Sequence, residues 1–162
     1  MRPLFQPKTY EGSLTAKYDL LGKQLDALLE GEKDRIANLS NASALLNQFL
    51  SDVNWVGFYL WKQGELVLGP FQGLPACVRI AYGKGVCGTA AKEKRTLRVE
   101  DVHAFPGHIA CDAASNSEIV VPLLKNGELL GVLDIDSPSK GRFSEEDEQG
   151  LQQFVKVLSS HI

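Results

Sequence analysis

An Asn126-Gly127 pair set between two runs of alternating apolar residues limits this chain more than any other feature. Such a pair accepts positive φ at both positions and marks a tight β-hairpin. Along the first run Ile119, Val121 and Leu123 share one face and leave Glu118 and Val120 on the other. Along the second, Leu133 and Ile135 take the apolar face while Asp134 and Asp136 point away. Register decides what meets what. A plain two-residue turn pairs Glu118 with Ile135 and puts a carboxylate on the apolar face. A three-residue Lys125-Asn126-Gly127 loop with a bulged Gly127, or an equivalent bulge further along, sets Glu118 opposite Asp134. That register is the expectation, and it gathers three carboxylates onto one face.

Helical spacing flanks the strands. Leu14, Tyr18, Leu21, Leu25 and Leu28 recur at that spacing and Gly31 closes the segment. Ile36, Leu39, Ser43, Leu46 and Leu50 repeat it, with Ala42 and Phe49 broadening the apolar face. A last helix opens at Ser144, capped with help from Asp147, and runs to Ile162. Between them VNWVGFYLW (53–61) alternates, turns at Gln63-Gly64 and returns as ELVLGPF. A short strand follows over Cys77–Ile80, then a glycine loop feeding a short helix, then TLRVEDV as another strand. A polar loop spans residues 102–116. The order predicts one α+β domain, an antiparallel sheet with helices packed on one face.

A chain of 162 residues can bury a core without metal or disulfide staples. Its formal net charge of −3 offers no basic footprint for nucleic acid or anionic lipid. MRPLFQPKTY lacks the apolar stretch of a secretory signal, and no apolar run approaches the ~20 residues that cross a bilayer. A cytoplasmic protein with neither nucleic-acid nor membrane partners is expected. Cys77, Cys87 and Cys111 are odd in number, form no CxxC and have no His at zinc spacing. That argues against a secreted disulfide scaffold or a structural zinc site.

If a covering element excludes water, three neighbouring carboxylates repel and at least one keeps its proton near neutrality. A carboxylic acid held in that state can donate to a substrate oxygen. Trp55 and Tyr59, two pleat repeats apart, share a face, and Val56, Phe58 and Leu60 already supply the face for the helices. The two aromatics therefore fall on the carboxylate side and could wall a pocket for an apolar or thioether group. Cys87 lies near a helix N-terminus beside Lys84, which could favour its thiolate. Cys111, flanked by His108 and Asp112 in the polar loop, suits an accessible nucleophile. Cys77 opens a short strand, and spacing alone leaves its partner open. His103 or His108 could form a dyad with Cys111.

GKGVCGTAA (83–91), RVEDVHAFPGHIACDAASNSEIVVP (98–122) and GVLDIDSPSKGRFSEEDEQGL (131–151) resemble the free methionine-(R)-sulfoxide reductase family, which is built on a GAF domain. The resemblance covers essentially the whole chain. It implies a single GAF-like domain, with residues 1–31 as N-terminal extension and helix and 32–162 as core. Carried over by position, it implies Cys111 as catalytic thiol, Cys77 as main resolving thiol and Cys87 as a second cysteine able to join disulfide exchange. It implies that Glu118, Asp134 and Asp136 bind and polarise free methionine (R)-sulfoxide, with Trp55 and Tyr59 around its methyl-sulfoxide end. The Cys111 sulfenic acid would condense with Cys77 or Cys87, and an external dithiol such as thioredoxin would restore the thiols. No metal or bound cofactor is required. Backbone N–H groups of Ile109, Ala110 and Cys111 would take the substrate carboxylate, which a residue inside a peptide lacks.

Two other readings fit the residues less fully. A non-catalytic GAF module sensing a small ligand or redox state would use the same pocket but has no effector region attached. A cysteine hydrolase or transferase using Cys111 and a histidine leaves the three carboxylates without roles. The helices could also support a homodimer.

Overall fold

Asn126 (φ 54°) and Gly127 (φ 79°) close the hairpin in two residues, with the pair of positive φ values that a type I′ turn requires. The computed structural model describes residues 5–109 and 111–162. In it β5 (Ser117–Lys125) and β6 (Glu128–Ser137) leave the turn with Lys125 paired to Glu128 and Leu124 to Leu129. An extra residue then enters β6: Leu123 pairs with Gly131, and beyond it Glu118 faces Asp136 while Val120 faces Asp134. The expected three-residue loop, with Glu118 opposite Asp134, is thus corrected. Both turn residues tolerate positive φ, so the loop needs no third member, and the bulge moves up the strand. Gly131 makes it possible there, because a Cβ at that position would lie 2.3 Å from the Tyr59 carbonyl oxygen. Parity survives the change, and the three carboxylates still share one face.

β1 (Trp55–Lys62), β2 (Glu65–Gly73), β3 (Arg79–Ala81) and β4 (Leu97–Val99) complete one antiparallel sheet in the order β3-β2-β1-β6-β5-β4. β3 begins at Arg79, so Cys77 lies in the loop before it rather than at a strand's start. The reason lies in β2. Leu68 donates its N–H to the Val78 carbonyl at 2.9 Å, and the next donor on that edge would be Pro70, which has no N–H.

α1 (Leu14–Leu29), α2 (Arg35–Phe49) and α4 (Glu145–Ser159) cover one face of the sheet, where Leu21, Leu39 and Phe154 meet Phe58, Ile119 and Leu133. Ile36 departs from its helical spacing: it is 54% exposed, in a stretch (31–37) that is exposed throughout. The Ser144–Asp147 capping box forms as the sequence suggests, and Asp147 also accepts from the Tyr18 hydroxyl at 2.7 Å, tying α1 to α4. α3 (Gly85–Glu93) takes the opposite face instead. Its inward side is small (Gly85, Val86, Cys87, Gly88, Ala90, Ala91), so it sits close over Trp55, Tyr59, Val120 and Val132. That second, smaller core holds the candidate site.

Candidate active site

Strand pairing sets the site's geometry. Trp55 on β1 lies opposite Asp136 on β6, which lies opposite Glu118 on β5, so one row across three strands carries an aromatic and two carboxyls. In the next row Gly57 lies beside Asp134. Trp55 and Tyr59 stack with ring centroids 5.8 Å apart at 24°, and both are buried on the carboxylate side. Their apolar faces and the carboxyls thus line one pocket, with Leu74–Ala76, Ile109 and Cys111 completing its walls around about 40 Å³ of free space.

Glu118 and Asp134 are buried and Asp136 is half-buried. Burial, and then the charges of Asp134 and Asp136, hold the Glu118 carboxyl well above its ordinary range. Asp136 is pushed up by burial and by Asp134. Asp134 is raised by burial too, but hydrogen bonds from Glu118 and Cys87 oppose the rise. Burial thus raises all three carboxyls, and Asp134 is the one whose rise is opposed mainly by hydrogen bonds. One Asp134 oxygen, Oδ1, is buried without a partner among the described residues, so the trio has an acceptor to spare there.

Cys87 closes the floor from α3, its Sγ 3.9 Å from Glu118 Oε2. The helix N-terminus and Lys84 do not win there. Burial, and then the neighbouring carboxylates, push the Cys87 thiol well up, so the expected thiolate is replaced by a neutral S–H donor. Lys84 is exposed and its charge is solvated. Cys87, Glu118 and Asp134 bring ligand atoms within 4.8 Å of one another, a mixed sulfur–oxygen set that could hold a divalent cation only by surrendering these protons.

At the mouth Cys77 and Cys111 form a disulfide with Cα atoms 5.5 Å apart, and both residues are half-buried. Cys87 stays a free thiol. Asn54, which sequence reasoning missed, anchors the Cys111 loop: its side-chain N–H donates to Asp112 Oδ2 at 2.9 Å and to Ser115 at 3.2 Å. Its backbone N–H donates to the Asp136 carbonyl at 2.9 Å, so one residue joins the loop to the carboxylate strand. The Cys111 N–H donates to Ile109 at 3.1 Å, within the loop itself. Ile109 packs over Gly85 and is 39% exposed, and Ala110 lies outside the described residues. His103 pairs with Asn116 at 3.2 Å rather than with the thiol. His108 lines the pocket, and burial keeps its pKa below the usual imidazole value.

Carboxyls raised by burial, an apolar aromatic wall and a disulfide-linked cysteine pair meet at one pocket. That set suits reduction of a polar oxygen carried on an apolar group. The sequence profile of the GAF domain matches residues 34–162. Bacillus subtilis Protein YtsP is 59% identical over 157 residues, 96% of this chain and 96% of its own. The Escherichia coli free methionine-R-sulfoxide reductase is 58% identical over 144 residues, 89% of this chain and 87% of its own. The Neisseria meningitidis free methionine-R-sulfoxide reductase, solved in complex with its substrate, superimposes with a TM-score of 0.91 at 42% identity, over 97% of this chain and 95% of its own.

Proposed function

Because the chain belongs to the GAF-domain family of free methionine-R-sulfoxide reductases, we propose that it reduces free L-methionine (R)-sulfoxide to methionine with Cys111 as nucleophile. The observation that carries this reading is the Cys77–Cys111 disulfide at the mouth of a pocket floored by three desolvated carboxyls. Sulfoxide oxygen leaves poorly unless it is protonated, so the attacking thiol needs an acid beside it. Glu118, whose protonated form burial favours and which Asp136 supports, lends its proton to the oxygen as that oxygen passes to the Cys111 sulfur, and the thiol's own proton returns to the carboxylate. Methionine departs and Cys111 holds a sulfenic acid. Cys77 then attacks the Cys111 sulfur, water leaves, and the disulfide remains. An external dithiol, with thioredoxin the expected one, exchanges with that disulfide and restores both thiols.

Substrate selection follows from the same charges. Asp134, with its unpartnered oxygen, receives the ammonium group of the free amino acid, and Trp55 and Tyr59 flank the methyl-sulfoxide end. The substrate carboxylate takes backbone N–H groups of the loop at Ile109–Cys111. The Cys111 N–H is bonded to Ile109 in the disulfide form, so it becomes a donor to substrate only as the loop rearranges on reduction.

Single-turnover chemistry tests the assignment. The fully reduced protein, mixed with excess substrate and no reductant, should release one equivalent of methionine and lose two thiols. Cys77→Ser should release the same equivalent and stall as a sulfenic acid, and Cys111→Ser should release none. Methionine release by Cys111→Ser at the parental rate would move the nucleophile elsewhere.

A further inference from the structure

The loop that carries Cys77 (residues 74–78) is held by its carbonyl groups. The Leu74 carbonyl accepts from Trp55 Nε1 at 3.1 Å, the Cys77 carbonyl from the Tyr59 hydroxyl at 2.9 Å, and the Val78 carbonyl from the Leu68 N–H at 2.9 Å. Side-chain burial does little to fix the loop, because Leu74 is 66% and Val78 61% exposed. The strand pairing that could have held it stops at Pro70. Two of the three ties therefore come from the Trp55–Tyr59 stack, whose rings also face the carboxyls. The Tyr59 phenol is held neutral by burial and by the neighbouring Asp134, so it is a donor at any working pH.

We infer that Tyr59 is a positioning residue for the resolving step: its hydroxyl, by holding the Cys77 carbonyl, keeps the Cys77 thiol within reach of the Cys111 sulfenic acid. This rests on the reading above that Cys111 is oxidised first and Cys77 resolves it. In that step the Cys77 sulfur bonds to the Cys111 sulfur and the Cys111 S–O bond breaks. The hydroxide that leaves departs as water with the thiol proton, so no outside electron donor enters. Cα atoms must come to about the 5.5 Å seen in the disulfide. A Cys77 carbonyl free to rotate spreads the thiol over many other positions, and each of them is unproductive. One wall of the pocket thereby serves two steps, the ring faces for substrate and the hydroxyl edge for the second thiol.

Tyr59→Phe removes the hydroxyl and keeps the ring. Reduced protein is mixed with one equivalent of free methionine (R)-sulfoxide, and methionine release and thiol loss are followed separately after acid quench. The expected result is disulfide formation slowed about fivefold more than methionine release, the effect on resolution of losing one neutral hydrogen bond. Sulfenic acid trapped by dimedone should rise to match, a readout that general destabilisation would not move. Disulfide formation at the parental rate would overturn the inference. So would a methionine release slowed as much as disulfide formation, which would assign the hydroxyl to substrate. Absence of release from the parent itself would instead sink the underlying reading. Should Tyr59→Phe fail to fold, Trp55→Phe, which removes the tie to Leu74, carries the test through the first-order rate of disulfide formation after release, a step that does not depend on how the ring binds substrate.

Discussion

Glu118 shows how one side chain's surroundings set its chemistry. It lies on a strand face that a period-two reading of the sequence isolates, yet the property that matters, a pKa raised by burial, comes from α3 covering that face. Glu118→Gln should lower turnover about 100-fold or more, the usual worth of a positioned acid, measured as kcat with reductant saturating. Its folded pKa lies above its unfolded one, so the folded state holds the extra proton. Stability from this group is therefore intact below the ordinary carboxylate range and lost as pH rises toward the folded pKa. Glu118→Gln, which cannot ionise, should gain on the parent in urea midpoint across the window that opens at about pH 5, where the unfolded carboxyl ionises, and runs up to the raised folded pKa. Midpoints that stay parallel across that window would contradict the desolvation argument. Activity of the parent should fall over the same alkaline limb, as the acid loses its proton. Trp55, Tyr59 and the three carboxyls were legible as one face because strand side chains alternate. Asn54 was not, since its bond to Asp112 spans 58 residues and nothing local marks it. Cys87 was legible as a helix-start cysteine, but the carboxylates that reverse its ionisation come from strands distant in sequence. Cys87→Ser should therefore leave the Cys77–Cys111 disulfide forming after one turnover, as thiol titration and peptide mapping would show.

Among the elements, the β5–β6 hairpin carries most of the site, and its register depends on where one extra residue goes. The alternating pattern required an odd insertion to bring Glu118 to the face of Asp134 and Asp136, and the sequence marked Asn126-Gly127 as the turn. What it could not mark was the bulge at Gly131, because the reason lies on the neighbouring strand, where the Tyr59 carbonyl leaves no room for a side chain. Gly131→Ala should cost about 2–4 kcal/mol by urea unfolding, from steric overlap and an unfavourable φ of 157° together. Activity in the surviving folded fraction should fall with it, since the shift displaces Asp134 and Asp136 against Glu118. A stability change under about 0.5 kcal/mol, the usual range for an innocuous surface change, would show that the bulge is not set by this contact. The α3 placement follows similar logic. Its small inward residues were visible, but their use on the face opposite the other three helices depends on the large aromatics beneath.

The whole molecule divides its two faces between stability and chemistry. Three helices and one sheet face make the larger core, while α3 and the loops of Cys77 and Cys111 enclose the smaller core and the pocket. Among the described residues no helix is long and apolar enough to cross a membrane. The disulfide links these two loops across 34 residues, and closing such a span should contribute about 3–4 kcal/mol by restricting the unfolded chain. Reduction should therefore lower the melting temperature by on the order of 10 °C. Far-ultraviolet circular dichroism should stay unchanged, because the larger core contains neither cysteine. The central claim, a pocket that reduces one epimer of a free amino acid through Cys111, is tested most directly by thioredoxin-coupled NADPH oxidation. Separate free L-methionine (R)- and (S)-sulfoxides would be compared in the parent and in Cys111→Ser. The account predicts turnover of the (R) form alone and its loss in the variant. Equal turnover of the (S) form, or none of either with dithiothreitol also supplied as reductant, would contradict it.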